Sequence, residues 1–121
     1  MANDPRYGRT ATKIMERIEE GEEVATSTLI ISQVCGYLRC KGRSDVVPTF
    51  LEFLRSVPNL FKVETTFNDF LQALKLCAEH NLNWKMWDNL LIAAQMKRLK
   101  ISEVYSNDKD FDIIPGIKRI F

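Results

Sequence analysis

The fold prediction starts from residues 101–117, which read ISEVYSNDKDFDIIPGI. Residues 102–106 predict a strand, the loop that follows carries Asp108, Asp110 and Asp112, and residues 117–121 predict a final strand. In parallel sheets, ligands bind at the carboxyl ends of the strands. The three acids therefore lie where a functional site is expected.

Upstream of this stretch, predicted helices and strands alternate. Helices are predicted from about Thr10 to Glu20, from a cap at Ser27 or Thr28 to Gly42, from Ser44 or Asp45 to Pro58, from Thr66 onward, and from Asn83 or Trp84 through Leu99; strands are predicted at Val24–Thr26 and Phe61–Glu64. Short strands that alternate with helices predict parallel pairing through right-handed crossovers. The predicted class is α/β, a parallel sheet flanked by helices, in one domain over residues 1–121.

The helical periodicity also predicts a core. The apolar residues at core spacing are Leu29, Ile30, Val34, Tyr37 and Leu38 in one helix, Phe50, Leu51, Phe53 and Leu54 in the next, Phe70, Leu71, Leu74 and Cys77 in the third, and Leu90, Leu91, Ala93, Ala94 and Leu99 in the last. Trp84 and Trp87 could stack on nucleic-acid bases, but their position beside an apolar stripe favours packing.

The composition is that of an ordinary globular domain, with 45% apolar and 27% charged residues. The net charge of +1 excludes attraction to nucleic acid by total charge, although it leaves local patches open. The longest apolar run, residues 90–94, has five residues, so no membrane segment is expected, and the polar opening predicts no signal peptide. We expect a cytoplasmic protein. One histidine and three cysteines are too few clustered ligands for a zinc site, and the cysteines are expected to be reduced.

The acidic loop has two interpretations. Crowded carboxylates raise one another's pKa unless a cation compensates them, and Mg²⁺ takes one or two carboxylates together with water. Aspartates also form turns and cap helices, so the loop could be a solvated turn. A second acidic candidate, Asp88 beside Asn89, lies at the amino end of a predicted helix, where an acid also interacts well with the helix dipole.

Three segments together resemble the PIN domain family, especially the VapC-type toxins of archaea and bacteria. Residues 101–117 look like the family's closing strand, its acidic loop and the IPGI turn that follows. Residues 89–94, NLLIAA, are similar to the family's D-x-x-I-A-A helix start. Residues 26–34, TSTLIISQV, resemble a family segment in which a serine is followed six residues later by an acidic residue and then valine. Residues 4–8 look like a family linker, so the resemblance covers nearly the whole chain.

The resemblance implies an endoribonuclease dependent on Mg²⁺ or Mn²⁺, the toxin of a toxin–antitoxin pair, with RNA and an antitoxin protein as partners. Asp108 and Asp110 match the family's late acids and are the implied metal ligands. Asn89 occupies a position where the family has an acid, and Asp88 becomes the third ligand if the helix start is displaced by one residue. Gln33 stands where the family has glutamate.

The departures from the family pattern predict impaired activity. Asn89 and Gln33 keep the shape of an acid but lack its charge, which weakens the attraction for a divalent cation. The alternative is a catalytically inactive PIN-like module that binds a partner protein or RNA; a generic α/β domain is a third interpretation. We expect no counterpart here of the family's first strand, which bears an aspartate at the centre of the sheet. Without that strand, the neighbouring strands would have open edges. We therefore expect either a homo-oligomer, namely a dimer, or a rearranged strand pairing to cover those edges.

Overall fold

The computed structural model describes residues 13–120 and confirms the α/β class. The helices are residues 13–19 (α1), Thr28–Cys40 (α2), Val47–Ser56 (α3), Phe67–Glu79 (α4) and Trp87–Arg98 (α5); the strands are Val24–Ser27 (β1), Leu60–Val63 (β2), Glu103–Val104 (β3) and Lys118–Arg119 (β4); short 3₁₀ helices cover Ser44–Val46, Trp84–Met86 and Lys109–Ile113. The predicted linker at residues 4–8 and the start of the first helix lie outside the described residues. The chain divides into two compact units, which meet in sequence between Glu64 and Thr65.

In the first unit, β1 pairs in parallel with β2, with Val24 beside Leu60 and Ser27 beside Val63. Ser27 ends β1 and caps α2, because its hydroxyl accepts the Ile30 N–H at 3.2 Å. The Asn59 amide donates to the Ile18 and Glu22 carbonyls at 2.7 and 2.6 Å. This side chain therefore fastens the segment before β1 to the segment before β2.

The predicted core of the first unit is largely wrong. No residue of α2 is buried, and Tyr37 is exposed. Leu54 is the buried residue of α3, whereas Leu51 and Phe53 are exposed. The helical period shows which residues share a face, but it does not show whether another element covers that face.

In the second unit, α4 packs against α5. Thr66 and Asp69 form the predicted capping box, in which each side chain accepts the other residue's backbone N–H. Asp69 is 1% exposed and also accepts two hydrogen bonds from the Arg98 guanidinium, at 2.9 and 3.0 Å. Burial alone raises the pKa of Asp69, but the hydrogen bonds from Arg98 and Thr66 outweigh it and hold the pKa below its usual value.

The core predicted for α5 is confirmed at Leu90, Leu91, Ala93 and Ala94, which are all buried, and is wrong at Leu99, which is exposed. The core predicted for α4 is confirmed only at Cys77. Phe70, Leu71 and Leu74 are exposed, because α4 buries a different side, with Ala73, Leu76 and Cys77. Trp84, which was predicted to pack, is also exposed. All three cysteines are free, as expected.

Within residues 13–120, the strands form two parallel pairs, where the alternating pattern predicts one parallel sheet. The second pair joins β3 to β4, with Glu103 beside Lys118 and Val104 beside Arg119. Among the described residues, no helix is long and apolar enough to span a membrane.

Candidate acidic site

The acidic loop lies directly after β3 and is ordered by its own hydrogen bonds. Asp108 caps the 3₁₀ helix Lys109–Ile113, because its Oδ1 accepts the Asp110 N–H at 3.0 Å. The Ser106 hydroxyl accepts the Asp108 N–H at the same distance. Phe111 and Ile114, which are 3% and 2% exposed, anchor the far side of the loop in the apolar interior. The carboxylate of Asp108 is thus held in one orientation by its immediate neighbours.

Asn89 reaches the loop from the first turn of α5. Its Nδ2 donates to Asp108 Oδ2 at 3.0 Å, so both carboxylate oxygens accept a hydrogen bond. The pKa of Asp108 lies below its usual value, chiefly because its carboxylate accepts the Asp110 N–H and, to a smaller extent, the Asn89 amide. Partial burial raises this pKa, and the positive charge of Arg119 lowers it a little further. Asp108 is therefore ionised at neutral pH.

The other acids of the loop differ in their partners. Asp112 forms an ion pair with Arg119, whose Nε and Nη2 donate at 3.1 and 3.2 Å. The half-buried Asp110 has no side-chain hydrogen bond or ion pair within residues 13–120. Asp112 is therefore neutralised by arginine, while Asp108 and Asp110 remain as anionic oxygen donors.

The predicted site residues separate into two groups. The Asn89 side chain and the Asp110 backbone N–H both donate hydrogen bonds to the Asp108 carboxylate. Asp88, in contrast, is exposed at the second position of α5. Gln33 belongs to the first unit, where it lies on α2 and lines a shallow groove of about 200 Å³ together with Ile30, Val34 and Tyr37.

Two residues of the site were not predicted. Ser106 could have been found from its spacing, because a serine two residues before an aspartate is typical of a side-chain-stabilised turn. Arg119 could not, since its role depends on β4 returning beside β3.

Asp108 and Asp110 provide few carboxylate ligands for a divalent cation. Within the described part of the chain, no cluster of three or more histidine, cysteine, aspartate or glutamate side chains could hold a metal ion. Two carboxylates still meet the usual protein contribution to a Mg²⁺ site, in which water supplies the other ligands. Asp108 and Asp110, one at the start of the 3₁₀ helix and one within it, supply that number of carboxylates.

These features define an α/β protein with an acidic site after a parallel strand. The family model for the PIN domain matches residues 2–117, so this chain belongs to the PIN domain family, and the resemblance seen in the sequence is confirmed. The PIN domain is a nuclease-type fold. Neither the search of curated proteins nor the search of solved structures returned a match.

Proposed function

We propose that this chain is a Mg²⁺- or Mn²⁺-dependent endoribonuclease of low activity, of the kind found as the toxin in toxin–antitoxin pairs. The observation that supports it best is the Asp108 carboxylate, which is ionised, held in place by Ser106, Asp110 and Asn89, and carried by a PIN domain. An antitoxin protein, self-association and a cytoplasmic location belong to the same proposal, and they rest on the VapC-type resemblance.

Each residue of the site has a proposed role. Asp108 and Asp110 would hold the metal, and Asp88 adds a third acid near the start of the same helix that carries Asn89. A bound divalent cation supplies a Lewis acid and a deprotonated water for phosphodiester hydrolysis. Asn89 orients Asp108 by donating a hydrogen bond, but an amide cannot accept a proton as a carboxylate base does. Gln33 carries the same limitation, so we expect slow cleavage.

The test is a calorimetric titration with Mn²⁺ and a cleavage assay on generic RNA, with the same preparation in both. Asp108→Asn should abolish metal-dependent cleavage, because it removes the charge that holds the cation. The matched control is Asp112→Asn in the same loop, whose carboxylate is engaged by Arg119 and should be dispensable for metal binding. Full cleavage by Asp108→Asn would remove this residue from the mechanism.

A second function is favoured by the hydrogen bond from Asn89 to Asp108. This amide satisfies the carboxylate without a cation, which suits an inactive PIN-like module that binds RNA or a partner protein. Such a module would show neither saturable Mn²⁺ binding nor cleavage, while its RNA binding would not depend on the metal. The same titration therefore separates the two functions.

A further inference from the structure

Arg119 brings a positive charge to the edge of the strand pair from which the acidic loop departs. Strand β3 ends at Val104 and β4 ends at Arg119, and these two residues are neighbours in the parallel register. The Ile120 N–H donates to the Val104 carbonyl at 2.8 Å and fixes this register at the end of the pair. The carboxyl ends of parallel strands, where ligands bind, therefore meet at Arg119. Its positive charge is close enough to lower the pKa of Asp108.

The guanidinium of Arg119 uses one of its edges in the structure. A guanidinium has N–H groups on more than one edge, and each edge can donate to both oxygens of a carboxylate or phosphate. In Arg119, the edge formed by Nε and Nη2 donates to Asp112 at 3.1 and 3.2 Å. The second edge, formed by Nη1 and the remaining N–H of Nη2, has no hydrogen-bond partner within residues 13–120. Asp112 thus orients a cation that still has donors for another anion.

We infer that the second edge of the Arg119 guanidinium binds a phosphate of an RNA strand at the acidic site. The inference deepens the proposed function, on which it rests in taking RNA as the ligand. A phosphodiester has two unesterified oxygens, which match the parallel N–H groups of a guanidinium edge. Because Asp112 already holds the side chain, little more conformational freedom is lost when the phosphate binds. Arg119 is also 20% exposed, so solvent and ligands reach it.

The charge of the acidic loop explains why a phosphate needs an arginine there. Residues 106–112 carry three aspartates and one lysine, so the loop by itself repels an anion. Arg119 neutralises Asp112 and keeps its second edge for the phosphate. Lys109, in contrast, is exposed and has no side-chain hydrogen bond or ion pair within the described part of the chain. It contributes charge without a fixed position, and it therefore serves as the matched control for Arg119.

The test is the fluorescence anisotropy of a short, labelled single-stranded RNA of mixed sequence, titrated with the full chain at low salt in EDTA, which prevents metal-dependent cleavage. Arg119→Met should weaken binding about ten- to a hundred-fold, the usual effect of losing a hydrogen bond between charged groups. Lys109→Met removes the same charge from the loop and should weaken binding by less than about five-fold, as for an exposed ion pair. Arg119→Lys should remain several-fold weaker than the wild type, because an ammonium cannot present two edges.

Because Arg119→Met also leaves Asp112 unpaired, the double variant Asp112→Asn/Arg119→Met separates the two effects, and circular dichroism checks that each variant is folded. The double variant should still bind RNA at least ten-fold more weakly than the wild type, since the guanidinium is absent. Wild-type affinity in the double variant would overturn the inference, because repulsion by the unpaired carboxylate would then explain the loss. Equal losses in Arg119→Met and Lys109→Met, or no RNA binding by the wild type, would also overturn it.

Failure of the nuclease proposal gives a different result. A wild-type chain that neither cleaves RNA nor binds Mn²⁺, but whose RNA binding depends on Arg119, would refute the nuclease and support the phosphate contact. A chain that cleaves RNA equally well with Arg119→Met and binds it with unchanged affinity would support the nuclease and refute the contact.

Discussion

Replacing Asn89 with aspartate would turn a neutral hydrogen-bond donor into a second carboxylate, about as far from Asp108 as the present 3.0 Å contact. Without a cation, the site loses a hydrogen bond to a charged group, which typically contributes about 1.5–3 kcal/mol. It also gains a repulsion of about 1.4 kcal/mol, the value for two charges at this separation in a water-like dielectric, which suits the exposed Asp108. We therefore expect Asn89→Asp to lower the free energy of unfolding by about 3–4.5 kcal/mol in EDTA.

A divalent cation reverses this effect. The new carboxylate would add a further anionic ligand beside Asp108, and its attraction for a double charge is about 2 kcal/mol even in a water-like dielectric. That corresponds to roughly thirty-fold tighter Mn²⁺ binding. Because a ligand that binds the native state stabilises it by mass action, saturating Mn²⁺ should restore most of the lost stability.

The assay is urea unfolding in EDTA and in Mn²⁺, with calorimetric titration of the metal on the same samples. Asn89→Ala is the matched control, because it removes the hydrogen bond to Asp108 without adding charge. This control should be destabilised in both buffers and should not gain affinity for Mn²⁺. If Asn89→Asp is as stable as the wild type in EDTA and binds Mn²⁺ no better, the proposed electrostatics of the site are wrong.

Two further predictions concern stability. Because the pKa of Asp69 is lowered in the folded state, its ionised form contributes stability above the unfolded pKa of about 4, and this stability is lost as the pH falls through the folded pKa. Urea unfolding from pH 6 to pH 2 should show this loss. Arg98→Met should make the loss smaller, because burial then acts against the charged form of Asp69. Leu90→Ala should lower the free energy of unfolding by about 2–5 kcal/mol, since Leu90 is 0% exposed, whereas Leu51→Ala on exposed α3 should cost far less in the same urea titration.

Local chemistry was read correctly from the sequence. Ser27 caps α2, and Thr66 with Asp69 forms a capping box, because both devices depend only on residues within one helical turn. The acidic loop after β3 was likewise found from its alternating aspartates. Such features are set by neighbours along the chain and so need no knowledge of the tertiary structure.

Burial and strand pairing could not be read in the same way. The apolar faces of α2 and α4 have the spacing of core residues, yet no residue of α2 is buried, and Phe70, Leu71 and Leu74 of α4 are exposed. The alternation of strands and helices predicts parallel pairing, but it does not decide that β1 joins β2 and β3 joins β4 as separate pairs. These outcomes depend on which elements cover one another, and periodicity carries no information about the covering element.

The shape of the acidic loop and its negative charge bear differently on the two proposed functions. The loop needs no cation for its conformation, because Ser106, the Asp110 N–H and the buried Phe111 already fix Asp108. The neutral Asn89 completes the same arrangement. A neutral residue at position 89 is therefore consistent with an ordered loop, and both the weak nuclease and the inactive module are compatible with that geometry. The weak nuclease and the inactive module differ in how many negative charges they need beside Asp108. A single substitution at position 89 changes that number without disrupting the loop, and it is therefore a stronger test than a substitution that disrupts the loop.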